Sequence, residues 1–274
     1  MSVRMRFAAR HLLLGPSLDR WYGHLRNTPS MADLPLLPML LLQAQRPFYD
    51  HRLSTSERVR SLIHSHRLQH DLLGQGLYGR LLAGEERTVC TLSGRDTQPY
   101  RLTLSCEGRF LREGNITLSL WKGDDRYKAL TFSLDADGGQ AVCRVGGLQG
   151  MTQDALEKFR DATRDLHGLQ PRTLVVEALR ALCLRWGVGR IEAIATRNHS
   201  WNSLVYRVFK RAKQRHLRYD ETWALVGGTP NARGNYDIPL FQEARPIEDY
   251  PSSKRAAIRR RRAVLDELRE SLWA

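Results

Sequence analysis

Apolar positions along the chain change their period twice. From about residue 5 to residue 83 they recur at spacings of three and four, as in "LDRWYGHLR" and "STSERVRSLIHSHRLQHDLL", which predicts amphipathic helices. Ser54 followed by Glu57 is a capping box at the start of the second. His64, His66 and His70 fall on the polar side of that helix and read as solvated. From Thr88 to Gly150 the period drops to two in "TVCTLSG", "YRLTLSCEG", "NITLSLWKG", "KALTFSLDA" and "QAVCRVGGLQG", with Gly, Asp and Asn turns between them. That predicts an antiparallel meander with one face on a core and the other toward solvent. After Thr152 the two patterns interleave. A helix over "TQDALEKFRDATRDL" stops at His167-Gly168, and a second over "PRTLVVEALRALCLRWG" has Pro171 in its first turn. A short strand "IEAIAT", a helix opened by "RNHSWN" and a last short strand in "NYDIPLF" follow. The end, "PSSKRAAIRRRRAVLDELRESLWA", predicts a basic helix capped by Ser252 or Ser253, with Ile258, Val264, Leu265 and Leu268 on its apolar side. The fold class expected is α+β: a helical N-terminal region (1–86), an α/β domain with an antiparallel or mixed sheet (87–247), and a basic C-terminal helix (248–274).

With 274 residues and 42% hydrophobic content the chain can bury a core. A net charge of +14 and a pI near 10.1 point to an acidic partner. The N-terminal "MSVRMRFAARHLLLGPS" has too short an apolar stretch for an export signal, and "LPLLPMLLLQ" is too short and too rich in proline to span a bilayer. A cytoplasmic protein is expected, with peripheral contact to an anionic inner-membrane surface left open. Cys90, Cys106, Cys143 and Cys183 lack metal-like spacing and read as reduced, buried thiols.

The chemistry concentrates in a few places. Gly146, Gly147 and Gly150 in one strand mark either a bulge where something approaches the backbone or a plain bend. The "HGLQPR" loop puts Arg172 beside the free N–H groups of a helix start, a place for an anion, or merely punctuates two helices. Glu113 and the Asp220–Glu221 pair lie among aromatic or apolar neighbours, as suits either a general base or a buried pair with Arg112 or Arg218. His167, His199 and either Asp220 or Glu221 supply the ligand types of a two-His, one-carboxylate iron site. Six Lys and Arg with no acid lie between Tyr206 and Tyr219, and "KRAAIRRRR" repeats the theme. Arg207, Lys210, Arg211, Lys213 and Arg259, Arg260, Arg261, Arg262 are therefore the candidate polyanion contacts. No helix-turn-helix or zinc motif accompanies them, so sequence-specific DNA binding is not expected.

The order of a glycine-bulged strand, a loop at a helix start, a strand, an Asn and a helix bearing Tyr, over about residues 127 to 228, resembles the acyl-CoA-binding half of the GNAT acyltransferase fold. The likeness lacks the usual Arg/Gln-x-x-Gly-x-Gly loop. It implies a donor arm along Gly146, Gly147 and Gln149, phosphates at His167, Gly168, Gln170 and Arg172, Asn198 seating the cofactor, and Tyr206 protonating the leaving group. The blocks "RPFYD", "REGNITLSL", "KALTFSL", "VGGLQG", "LHGLQPRTLVVEALRAL", "YDETWALVGG", "YDIPL" and "SSKRAAIRRRR", from about Arg46 to Arg262, resemble the VirK/YbjX family of bacterial proteins. That resemblance implies a role in cell-envelope and virulence-related surface properties. Three functions are then expected. The first is a transferase moving an acyl or aminoacyl group from acyl-CoA, acyl carrier protein or aminoacyl-tRNA onto an amine of an envelope component or peptide, with Glu113 or Asp220 as base. The others are an iron enzyme at His167, His199 and Asp220, and a basic adaptor for anionic lipid or a partner.

Overall fold

The computed structural model describes residues 3–28, 34–150, 155–203 and 218–272. Four helices come first: α1 (Val3–Arg26), α2 (Leu37–Gln43), α3 (Thr55–Leu73) and α4 (Gln75–Leu82). α1 bends at Gly15 (φ 34°, ψ −124°), directly before Pro16, which has no N–H to continue the ladder. The apolar "LPLLPMLLLQ" becomes α2, and the Trp21 indole N–H donates to the Leu40 carbonyl at 2.9 Å to tie α1 to it. The capping box forms as predicted: the Ser54 side chain accepts the Glu57 N–H, and Glu57 accepts the Ser54 N–H at 2.8 Å. Among the described residues no helix is long and apolar enough to cross a membrane.

The five alternating segments are β1 (Arg87–Leu92), β2 (Tyr100–Ser105), β3 (Ile116–Lys122), β4 (Asp125–Asp137) and β5 (Gln140–Gly150), each antiparallel to the next. α5 (Ala155–Asp165) and α6 (Pro171–Arg185) lead to β6 (Arg190–Ala193), which is parallel to β5. This is the arrangement such a crossover requires. α7 (Tyr219–Leu225), β7 (Thr229–Pro230), β8 (Tyr236–Ile238) and α8 (Ser252–Ser271) complete the chain. The eight strands run in the order β1-β2-β3-β4-β5-β6-β8-β7. The fold class is thus α+β with a mixed, mostly antiparallel sheet behind a helical N-terminal region.

The expectation of one solvated sheet face is corrected. Leu102, Leu104, Leu118, Leu130 and Phe132 make an apolar face, where the Phe132 ring lies 6.1 Å from that of Trp186 at the end of α6. The alternate positions Thr103, Thr117, Ser119, Thr131, Ser133 and Asp135 are buried as well. α3 covers the β4 part of this face, where Ser61 Oγ donates to Asp135 Oδ2 at 2.7 Å and Gln69 Oε1 accepts the Leu134 N–H at 3.1 Å, while Thr103 is met by Glu86 and the Trp121 indole. His66 and Gln69 are buried, so the solvated reading holds for the exposed His64 and His70 but not for His66.

The C-terminal helix α8 packs on β1 and α6 with Val264 and Leu268 buried and Ile258 and Leu265 half-buried, the predicted apolar side. Its predicted cap is corrected: Pro251 holds the cap position with no side-chain hydrogen bond, and Ser252 and Ser253 sit inside the first turn. "RNHSWN" forms two short 3₁₀ turns, Thr196–Asn198 and Ser200–Asn202, and the helix expected after it lies outside the described residues. One hydrophobic cluster runs from Leu18 through the sheet to Leu272. The four cysteines are free and buried.

Candidate functional site

β5 pairs with β6 only from Val142↔Arg190 to Val145↔Ala193, with one further bond from the Ile194 N–H to the Val145 carbonyl at 2.8 Å. From Gly146 onward β5 keeps β4 as its strand neighbour. The β4–β5 register slips there, Thr131 facing Gly147 and Phe132 facing Val145, so Gly146 is the extra residue of a bulge. The close approach that these glycines permit is made by the Glu113 loop. A Cβ at Gly146 would collide with the backbone carbonyl of Glu113, and one at Gly147 with the Glu113 carboxylate. Neither glycine has positive φ, so space rather than conformation requires them. The cradle expected to receive a donor arm is filled by the protein's own acid.

Glu113 is 5% exposed, and its carboxylate meets N–H groups from two segments, β5 and the turns at 196–202, with His199 at contact distance rather than hydrogen-bonded. Gln149 Nε2 lies 3.1 Å from both Oε1 and Oε2, Trp201 Nε1 3.4 Å from Oε1, and His199 Nε2 3.5 Å from Oε1. His199 is fully buried, and its Nδ1 accepts the Trp201 backbone N–H at 3.3 Å. A neutral imidazole therefore carries its proton on Nε2, facing the carboxylate. Gln149 Nε2 also donates to the Tyr219 hydroxyl at 3.2 Å, and the Tyr219 ring meets that of His199 edge-on at 5.4 Å between centroids. Burial and the nearby Glu113 charge push the Tyr219 phenol well above its ordinary pKa, while a backbone hydrogen bond from Leu148 and the one from Gln149 oppose them. The Arg112 guanidinium lies 4.3 Å over the Trp201 ring.

The "RPFYD" block straps this site together. The Tyr49 N–H donates to the Arg112 carbonyl at 2.8 Å, Asp50 forms an antiparallel bridge with His199, and the His51 N–H donates to the Asn198 carbonyl at 3.0 Å. Tyr49 adopts φ 55° to make the turn, an uncommon conformation for a bulky side chain. Its hydroxyl donates to Glu192 Oε1 at 2.9 Å. Gln43 on α2 reaches the same loop, donating to the Leu111 carbonyl at 2.6 Å and to Asn115 Oδ1 at 2.7 Å.

Other predicted residues lie elsewhere or are engaged otherwise. Asn198 is buried, with Nδ2 donating to the Gly234 carbonyl at 3.0 Å and to Asn235 Oδ1 at 2.9 Å, so it anchors a loop rather than presenting itself to a cofactor. Asp220 Oδ1 accepts the Thr196 N–H at 3.0 Å and holds the 3₁₀ turn, while its neighbour Tyr219 takes the place beside Glu113. His167, at φ 54°, accepts from Arg95 Nε at 3.1 Å. His167, His199 and Asp220 are therefore in three different settings, and among the described residues no group of three His, Cys, Asp or Glu is placed to hold a metal. Tyr206, Arg207, Lys210, Arg211 and Lys213 lie outside the described residues. Sequence reasoning missed Trp201 and Tyr219, both present in blocks it had singled out. Their pairing with an acid 88 and 106 positions earlier leaves no local signal.

At the far end of β5 a second grouping is cationic. Lys128, opposite Gly150, lies with Nζ 4.6 Å over the Phe159 ring. Burial, with Arg172 nearby, lowers its pKa to about 8. Arg172 Nε donates to Gln170 Oε1 at 2.8 Å, and Gln170 caps α6 without a side-chain hydrogen bond. On the other side of the loop, a Cβ on Gly168 would meet the Arg261 guanidinium at 2.6 Å, and Arg260 is near enough to help depress the His167 pKa, after burial and Arg95. Arg259, Arg260 and Arg261 are exposed, and Arg262 donates to the Arg245 carbonyl. The tail's arginines therefore border the "HGLQPR" loop.

A family model described as "Protein of unknown function (DUF535)" matches residues 1–274. The chain is 27% identical over 274 residues to "Uncharacterized protein YbjX" of Escherichia coli (strain K12), covering 99% of this chain and 82% of that one. It is also 28% identical over 224 residues to a Haemophilus influenzae protein, covering 81% of this chain and 72% of that one. No solved structure matches.

Proposed function

We propose that this chain, which belongs to the DUF535 family, is a transferase that moves an acyl or aminoacyl group from a thioester or tRNA-ester donor onto an amine. The observation that carries the reading is the separation of parallel β5 and β6 after Val145 and Ala193, with the Glu113 carboxylate and His199 imidazole set at the point of separation. The GNAT-like order of elements is consistent with it. An attacking amine must first lose a proton. Glu113 takes it, held in one orientation by Gln149, Trp201 and His199. The amine nitrogen bonds to the donor's carbonyl carbon, the C–S or C–O bond breaks, and the leaving group takes a proton, the role left to Tyr206. Arg172 and Lys128 would bind the donor's phosphates, and the acceptor would be an amine of an envelope component or a peptide. Asp220 has no part in this scheme because its carboxylate is committed to the Thr196 N–H.

The isosteric Glu113→Gln is expected to lower transfer by about 100-fold or more, with a small change in stability, because the cradle at Gly147 accepts either side chain. The donor is found by native mass spectrometry of the purified chain mixed with coenzyme A, an acylated acyl carrier protein, or an aminoacyl-tRNA. Failure of all three to bind, and of Glu113→Gln to alter any transfer, rejects the reading.

A second reading, a basic adaptor for an anionic partner, has one observation in its favour: exposed Arg259, Arg260 and Arg261 beside the "HGLQPR" loop. The double variant Arg260→Glu/Arg261→Glu should weaken binding to anionic vesicles or to acyl carrier protein about tenfold at low salt and flatten its salt dependence. Charge reversal is a cleaner test than truncation after Tyr250, which would remove Val264, Leu268 and Leu272 and uncover the apolar surface of β1 and α6 that they bury. Unchanged affinity and salt slope would place the partner surface away from the tail.

A further inference from the structure

Away from the Glu113 site, α1, α3 and α4 enclose a cleft of about 790 Å³ lined by Arg20, His24, Ile63, His66, Arg67 and Tyr78, among others. That volume lies in the range of small-molecule sites. His66 sits at its base, 2% exposed. Gln69 Nε2 donates to the Tyr78 hydroxyl at 2.8 Å, and that hydroxyl is 3.2 Å from His66 Nδ1. With its oxygen accepting from Gln69, the Tyr78 O–H is free to donate to Nδ1. A neutral His66 then carries its proton on Nε2. Burial, with a smaller contribution from His24, lowers the His66 pKa to about 3, so the ring is neutral near pH 7. Its Nε2 is buried with no hydrogen-bond partner among the described residues, and so is Nε2 of His24, whose ring is 5.7 Å away.

Buried N–H groups in native proteins are normally met by an acceptor. The neighbouring aromatic Trp21 cannot supply one, since its ring carries only a donor and that donates to Leu40. The rim supplies charge: the exposed Arg20 and Arg67 outnumber the single acid of the lining, Asp71, and neither is ion-paired among the described residues. Ile63, Leu82 and the Tyr78 ring supply apolar wall. An acceptor atom with negative charge satisfies the imidazole N–H and the guanidinium groups, and an apolar body satisfies the walls. A cation cannot meet the N–H and guanidinium groups, and a purely polar anion leaves the apolar walls unmet.

We propose that this cleft is a binding site for a small anionic amphiphile, a carboxylate or phosphate head on a short apolar chain, with the head received by His66 Nε2–H and by Arg20 and Arg67. Octyl phosphate, octanoate, inorganic phosphate and octyltrimethylammonium, each below its micellar concentration, separate the contributions in calorimetric titrations of the full chain. Octyl phosphate and octanoate should bind one to one, inorganic phosphate at least tenfold more weakly, and the ammonium not at all. Arg67→Gln and Arg20→Gln, at exposed positions, should each weaken octyl phosphate about tenfold without altering the melting of the free protein. Nitrogen-15 NMR of the histidines gives a readout that needs no variant: octyl phosphate should shift the His66 Nε2–H resonance. Non-saturating uptake of all four probes, or saturable binding that leaves this resonance and both arginine variants unaffected, overturns the assignment. So does an N–H resonance already in slow exchange with a single bound water that no probe displaces.

Discussion

Gly146→Ala is expected to destabilise the protein by about 2–3 kcal/mol, and Gly147→Ala by much less while still disabling the Glu113 site. The difference lies in what each new methyl would strike. At Gly146 it meets the Glu113 carbonyl, part of a backbone fixed by the Glu113 N–H bond to the Phe110 carbonyl at 2.7 Å and the Asn115 N–H bond to the Phe132 carbonyl at 3.0 Å. That backbone can move only by breaking the bulge or the loop. At Gly147 the methyl meets the end of the Glu113 side chain, which can rotate away and lose its contacts with Gln149 and His199. Denaturant melts of the two variants check the first difference. If Gly146→Ala melts with the native protein, the close approach of the loop to β5 is not what holds the bulge. Transfer activity, once a donor is known, checks the second: both variants should fall at least as far as Glu113→Gln.

Arg144→Met should cost about 3–5 kcal/mol, the range for removing one partner of a buried pair. Arg144 projects from β5 between two carboxylates, its Nε 3.0 Å from Asp135 Oδ2 and its Nη1 3.0 Å from Glu192 Oε1. Glu192 has no solvent exposure and Asp135 little. Without the guanidinium, Glu192 keeps the Tyr49 hydroxyl on one oxygen and Arg190 and Asn231 at 3.2 Å on the other, so the lower end of the range is the better expectation. The loss should also reach the candidate site, because Glu192 holds Tyr49 and the Tyr49 strap holds the Arg112–Glu113 turn. Adding Asp135→Asn should restore much of the stability, since Asp135, whose one ion pair among the described residues is with Arg144, is the buried charge left unpaired. A single variant within about 0.5 kcal/mol of the native protein would show that water already screens these carboxylates.

Much of this architecture was legible before any coordinates. Period-two alternation located β1 to β5, and the stop at His167-Gly168 with Pro171 after it located the break between α5 and α6. Ser54 and Glu57 gave a helix start to the residue. These signals are local: each depends on neighbours within a turn of helix or a few strand positions, so the sequence contains the whole cause. The basic tail was legible for the same reason, as a charge run with an apolar stripe at helical spacing. Glu113 stood out as an acid among apolar neighbours, and the three glycines as a place where something comes close.

What came close was decided only by the tertiary structure. Glu113 meets β5, the His199 turn and α7 because β5 loses β6 as a neighbour at Gly146, and because "RPFYD" pins the turns before Glu113 and at His199 to each other. No spacing rule links positions 113, 149, 199 and 219, and their partnership exists only once four elements have packed. The Ser and Thr positions of the strands teach the same lesson. Their alternation set them opposite the leucines, which a local reading assigns to solvent, but α3 covers the β4 part of that face and makes a second buried layer. His66 is buried by Trp21 and His24 of α1 and Tyr78 of α4, and its unmet N–H comes from packing three helices around it rather than from any feature of its own segment. Local periodicity fixes which way a side chain points along its element; what it points at depends on long-range packing of other elements, which one window of sequence does not contain.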